Sequence, residues 1–191
     1  MMMLSRPFFL LWLLAFLLTG CQPTSDRAAV LKGVRLVPSV MQFSRTKGPD
    51  LTVQIPFGFM IEAVPEAKHD MFYIVNPADS STTQRGMAVI QVRQTPVPIV
   101  PDSMATRKTQ GILFGNGIDW NEATLDDETP RVLQREVIIE YPFPIGKAGT
   151  GNAGATPMQL QAFVVGMDSG LVERLVACVE TLSRDSSNAG R

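Results

Sequence analysis

The chain has 191 residues, with 17 Lys and Arg against 18 Asp and Glu, one His and two Cys. That near-neutral balance supplies no basic field for nucleic acid. A hydrophobic share of 45% excludes both a polytopic membrane protein and a disordered chain.

In chain order, the N-terminus comes first. Arg6 and the α-amino group form a weakly positive start, and Phe8 to Leu18 is an unbroken apolar run of eleven residues. As a helix that run measures roughly 16 Å against a hydrocarbon core of about 30 Å. It has the length of a signal-peptide hydrophobic region and is too short to span. The run ends in Leu18-Thr19-Gly20-Cys21, followed by the polar Gln22-Pro23-Thr24-Ser25. This resembles the lipobox of bacterial lipoproteins, which is an aliphatic residue, two small residues and Cys. The alternative is an ordinary signal peptide with a chance Cys at its end. The resemblance implies cleavage before Cys21, a diacylglycerol on its thiol and an acylated amine. Removing residues 1–20 leaves 191 − 20 = 171 residues with a charge of 16 − 18 = −2. That length suits one domain with its own core. Two or more acyl chains hold a domain stably at a bilayer where one does not. By resemblance to Gram-negative sorting, Gln22 in place of Asp after the Cys implies the outer membrane, facing the periplasm, with the inner membrane as the alternative. Cys178 is then the one remaining thiol, so no intramolecular disulfide is expected even in an oxidising compartment.

Residues 21–39 read as a lipidated Cys and tether, with a short helix or turn within Gln22 to about Arg35. Val40 to Ser44 and Leu51 to Ile55 alternate apolar and polar around the turn-rich Thr46 to Asp50, which predicts a β-hairpin. Phe57-Gly58-Phe59-Met60-Ile61 reads as core, against the alternative of an exposed binding patch. Met71–Val75 and Met87–Val92 read as strands, separated by the polar loop Asp79 to Gln84. Thr95 to Pro101 holds three prolines, so it is extended and cannot be a central strand. Asp102-Ser103 offers N-cap oxygens to a short mid-chain helix ending near Gln110-Gly111. Ile112-Leu113-Phe114 and Ile118-Asp119-Trp120 flank a tight turn at Gly115-Asn116-Gly117. Val132–Tyr141 and Met158–Val165 are further strands. Leu171, Leu175, Cys178, Val179 and Leu182 form the apolar stripe of a C-terminal helix, capped by Asp168 or Ser169. Glu173, Arg174, Glu180, Thr181 and Arg184 fall on its polar side.

The fold class expected is α+β, a largely antiparallel sheet covered by the short mid-chain helix and the C-terminal helix. The domain spans 40–184, and 185–191 is a polar tail. Three stretches together resemble PsbP-like α/β/α sandwich domains. They are the strand running into Ile55-Pro56-Phe57-Gly58-Phe59, the mid-chain helix with the hairpin strand of Trp120, and the closing strand and helix from Leu160 to Leu182 with Asp168-Ser169-Gly170. That superfamily covers photosystem accessory proteins, import factors and bacterial lipoproteins. The resemblance therefore implies a binding or assembly module and carries over no functional residue.

Few residues offer chemistry. Gly149-Thr150-Gly151-Asn152-Ala153-Gly154 matches a dinucleotide fingerprint in letters, but prolines precede it and no helix follows, so it reads as a flexible loop. His69, between Glu66 and Asp70, is the one candidate for a metal ligand or a general base. A catalytic metal site usually needs three protein ligands, and no Gly-x-Ser-x-Gly elbow places a nucleophile for a hydrolase. Ser80-Ser81 and Ser186-Ser187 lie in polar stretches. Asp126-Asp127-Glu128 reads as a solvated turn, lacking the ordered oxygens of a Ca²⁺ loop. Trp120 and Cys178 read as core, against a partner hot spot and a reactive thiol. The expectation is an envelope lipoprotein without catalysis, cofactor or metal. It is anchored through Cys21, and its domain binds an envelope protein or assists assembly. The alternatives are a small-ligand or lipid carrier and, third, an enzyme using His69. The contact regions expected are the Pro-rich 95–101 and the loop 142–157.

Overall fold

Alternation of apolar and polar residues makes this a strand-dominated molecule. The computed structural model describes residues 27–46, 48–78, 86–126, 131–143 and 157–185. A short helix α1 (Arg27–Val30) leads into β1 (Leu36–Met41) and β2 (Leu51–Pro56), which pair antiparallel from Leu36↔Pro56 to Met41↔Leu51. The predicted hairpin is therefore present, and β1 starts four residues inside the stretch read as tether. Next come β3 (Met60–Ala63), β4 (Asp70–Val75), β5 (Met87–Arg93), β6 (Arg107–Leu113), β7 (Asn116–Leu125), β8 (Val132–Glu140) and β9 (Gln159–Gly166). Helix α2 (Ser169–Val179) and the two-residue β10 (Ser183–Arg184) follow.

The strands build a three-stranded sheet ordered β1-β2-β10 and a seven-stranded sheet ordered β3-β4-β5-β9-β8-β7-β6, every pair antiparallel. The α+β expectation holds in this form, with one change. The stretch read as the mid-chain helix folds as a turn at Asp102–Met104 followed by β6. Asp102 does not cap a helix. Its carboxylate meets Lys108 Nζ at 3.1 Å and accepts from Asn121 Nδ2 at 3.0 Å. The tertiary pairing of β6 with β7 overrides a weak local helix signal.

One face of the large sheet carries the main core. Ile74, Ile90, Val92, Leu160 and Val164 meet Met41, Leu51 and Val53 of the small sheet and Val172, Leu175 and Val179 of α2. Asp168 caps α2 by accepting from Leu171 N at 3.0 Å. The helix stops at Val179, earlier than the stripe suggests, and Leu182 reaches the core from beyond it. The β6–β7 turn is two residues, Phe114-Gly115, with φ of 51° and 79°. It lies one residue ahead of the predicted one, and the Phe114 ring rests edge-on against Phe143 at 5.2 Å.

Glu180 contradicts the helical-wheel reading. It is buried, and its Oε1 accepts from the indole Nε1 of fully buried Trp120 at 3.0 Å. The chain leaves the helix at this residue, so Glu180 no longer follows the helix's polar side. The room comes from Gly111 of β6, where a Cβ would lie 2.1 Å from Glu180 Oε1 and 2.7 Å from Trp120 Nε1. Gly111→Ala must displace this pair and is expected to lower stability by about 1–3 kcal/mol in urea unfolding. An unchanged midpoint would show that the pair relaxes freely.

Cys178 lies in the core, where burial pushes its thiol from 9.0 up to about 12. The unfolded chain therefore loses this proton first, and the stabilisation is complete below about pH 9 and drains away toward the folded value. Unfolding midpoints should fall by about 1 kcal/mol between about pH 8 and pH 10, and Cys178→Ala should remove that component. A slope unaltered by the substitution would assign the loss to other groups.

Candidate functional site

The sheet order poses a path problem. Arg93 ends β5 inside the sheet, whereas β6 lies at the edge, four strand spacings or about 19 Å away. Residues 94–106 make the crossing as a strap over the face opposite the main core. Its prolines 96, 98 and 101 are tolerated because the strap belongs to no ladder. The extended, non-strand reading of this segment agrees with the structure.

Under the strap is a second, smaller apolar cluster of Val89, Val100, Ala123 and Phe163, flanked by Met71, Tyr73, Met87, Ala105 and Val165. Beside it runs a line of polar groups. His69 Nε2 contacts Gln91 Oε1 at 2.6 Å. Gln91 Nε2 donates to Gln161 Oε1, and Gln161 Nε2 donates to Glu136 Oε1 and to the Val97 carbonyl. Glu136 is 2% exposed. Its carboxylate receives Ile99 N at 3.0 and 2.9 Å and Val100 N at 2.6 Å. Asn121 Nδ2 donates to the Val100 carbonyl at 3.0 Å. A buried carboxylate is stable only with such donors around it, and here the strap backbone supplies them. With His69 Nε2 as donor, every link points from His69 toward Glu136. The result is a latch in which the charge stays buried and the strap stays down.

The strap's outer side is apolar. Val97 is 69% exposed, and Ile99 and Met104 are also exposed. A cleft of about 300 Å³ opens beside it, lined by Pro98, Pro101, Asp102, Lys108, Asp119 and Ile138 among others. Asp102 in its wall is held below the usual carboxylate range by its hydrogen bonds to Lys108 and Asn121. A second cleft of about 210 Å³ lies where α1 and α2 meet the edge strands, between Arg27, Arg107, Arg135, Glu173 and Glu180. Its charges are matched internally. Arg135 Nε meets Glu122 at 2.8 Å, its other nitrogens grip Glu173, and Arg107 joins Glu122 at 3.0 Å.

The residues singled out from sequence are distributed as follows. His69 and the strap, far apart in sequence, belong to one network. Asp70 does not join His69, because its carboxylate holds the β1–β2 loop by accepting Arg45 N, Thr46 N and Thr46 Oγ1. Among the described residues no group of three or more His, Cys, Asp and Glu could hold a metal ion. Trp120 is core, as expected. Phe57 and Met60 are exposed where core was expected, while Phe59 and Ile61 do pack against the core. They sit on and after the turn beyond β2, where only alternate side chains can face inward. Asp126 pairs with Arg131 at 3.1 Å. Cys21, Ser80-Ser81, Asp127-Glu128, the Gly149–Gly154 run and Ser186-Ser187 lie outside the described residues. Sequence reasoning missed Gln91, Gln161 and Glu136. The one local signal was that Gln91 and Gln161 interrupt the apolar runs of β5 and β9.

No protein-family model matches the chain, and no curated protein matches it. A solved structure from Bacteroides thetaiotaomicron VPI-5482 aligns at 11% identity with a TM-score of 0.40, over 72% of this chain. The match takes in 46% of that protein, so this chain spans about half its length. At that score the likeness carries no argument about site or function.

Removing the latch is directly measurable. Glu136→Ala strips the strap of its buried acceptor and is expected to cost about 2–4 kcal/mol. It should also expose residues 94–106 to limited proteolysis ahead of global unfolding. Cleavage of the strap at the parental rate would show that Glu136 does not hold it.

Proposed function

We propose that this protein is a lipid-anchored lipoprotein of the bacterial envelope whose domain binds a protein partner, without catalysis of its own. The observation that carries the binding reading is the strap. It displays Val97, Ile99 and Met104 to solvent, yet its backbone is pinned from beneath by buried Glu136. Exposed apolar groups on a preorganised segment lose little entropy on docking, which favours a protein contact. The anchor reading draws on Leu18-Thr19-Gly20-Cys21 and the apolar run before it. An outer-membrane position facing the periplasm draws on Gln22 alone. A PsbP-like architecture draws on two of its three stretches, since the middle one folds as a strand. The carrier reading has less to draw on, because the two clefts, of about 210 and 300 Å³, lie at or below the low end of ligand-cavity volumes.

Two experiments test the proposal separately. Cys21→Ala should abolish fatty-acid labelling and leave the protein in the aqueous phase of a detergent partition. If the variant labels like the parent, the anchor assignment is wrong. A photoreactive residue placed at Val97 or Met104 in envelopes should capture one protein repeatedly, and the same residue at exposed Gln42 should not. Equal capture from all three positions would remove the strap as the contact surface.

A further inference from the structure

We infer that the turn carrying Phe57, with Met60 beside it, is a second attachment point that rests in the lipid interface of the membrane to which Cys21 is anchored. The inference rests on the anchor reading and adds to it a lipid-facing side of the domain.

The tip is built by local backbone geometry. Phe57 N donates to the Arg35 carbonyl at 2.8 Å, and Phe59 N donates to the Pro56 carbonyl at 3.0 Å. Gly58 takes φ +94° to close the turn. The Phe57 ring is thereby held outside the core, 64% exposed, with the Arg35 guanidinium carbon 4.4 Å from its centroid. Met60 and Val37 are exposed as well, and exposed Lys32 lies three residues before Arg35. The nearest acidic side chain along the strand is exposed Glu62, two residues beyond Met60 and about 7 Å farther from the turn. An exposed aromatic ring, a thioether and a guanidinium stacked on the ring match an interfacial lipid contact, where apolar groups enter the acyl boundary and cations stay with anionic headgroups.

Tether length supplies the second argument. Arg27 is fixed to the domain by donating to the Glu180 carbonyl. Only six peptide links separate it from Cys21, so fully extended they reach about 22 Å at most. A domain of roughly 150 residues is about 40 Å across. The surface around Arg27 is therefore held within about 22 Å of the bilayer, closer than the domain's own width. Thr181, next to Glu180, accepts Gln54 N at 2.7 Å through its Oγ1, and Phe57 follows three residues later, about 10 Å along the strand.

The test uses the full, acylated protein reconstituted in vesicles of phosphatidylethanolamine and phosphatidylglycerol. Met60→Cys carries an environment-sensitive fluorophore, and Thr95→Cys on the strap, exposed on the opposite face of the sheet, serves as the control. Buried Cys178, with its thiol pushed up to about 12, stays unlabelled in the folded protein. Mass measurement of the Cys21 peptide reports acylation independently. The inference expects quenching by headgroup-proximal nitroxide lipids about twofold or more above the control, with a blue shift, and loss of both in Phe57→Ser. Acylated protein whose label at 60 is quenched no more than that at 95 overturns the inference and leaves the anchor standing. A label shielded from water yet unquenched by lipid nitroxides places protein over the tip and also overturns it. An unacylated Cys21 overturns the anchor reading and this inference together.

Discussion

Glu136 holds down the one crossing that the sheet order cannot avoid. Because β9 inserts between β5 and β8, the chain must pass from the middle of the seven-stranded sheet to its far edge. A backbone making that passage over an apolar face would leave its N–H groups without partners. The buried carboxylate accepts two of them, and Gln161 braces both the carboxylate and the Val97 carbonyl. The same arrangement solves two problems at once: a buried charge gains donors, and an irregular segment gains an anchor. A strap fixed in this way can present apolar side chains without collapsing onto them.

The opposite face is organised by a different kind of contact. There α2 is clamped to the sheet at both polar and apolar points. Arg135 bridges Glu122 on β7 to Glu173 on the helix. At the helix end, Glu180 turns inward to the Trp120 indole over the bare backbone of Gly111. Buried ion pairs contribute little net stability compared with apolar packing, but they penalise every other placement of the helix. The core beneath supplies the driving force, and these contacts select one orientation.

The two exposed apolar regions differ in construction, which bears on what each would touch. The strap is broad, pinned from below and flanked by a cleft. The Phe57 turn is small, and its exposed ring is stacked under the Arg35 guanidinium. The first suits a shaped protein surface, and the second suits a fluid interface that needs no complementary shape.

Much of the fold was legible in the sequence because period-two alternation and turn residues are local signals. β2, β4, β5, β8 and β9, the C-terminal helix with its Asp168 cap, and the status of Trp120 and Cys178 as core follow from them. The exceptions are positions where a distant partner outweighs local preference. Residues 107–110 became a strand because β7 offered a ladder. Glu180 became core because Trp120 and Gly111 made a place for it. Phe57 was left outside because the turn needed Gly58 and the Arg35 carbonyl. The line from His69 through Gln91 and Gln161 to Glu136 could not be assembled from the sequence, since it joins elements spread over 161 − 69 = 92 residues. The sequence by itself determined where most of the central strands and the main helix form and that the strap stays out of the ladder. Only the tertiary structure decided which buried polar groups meet and which apolar ones remain outside, because strand order, not spacing along the chain, sets those contacts.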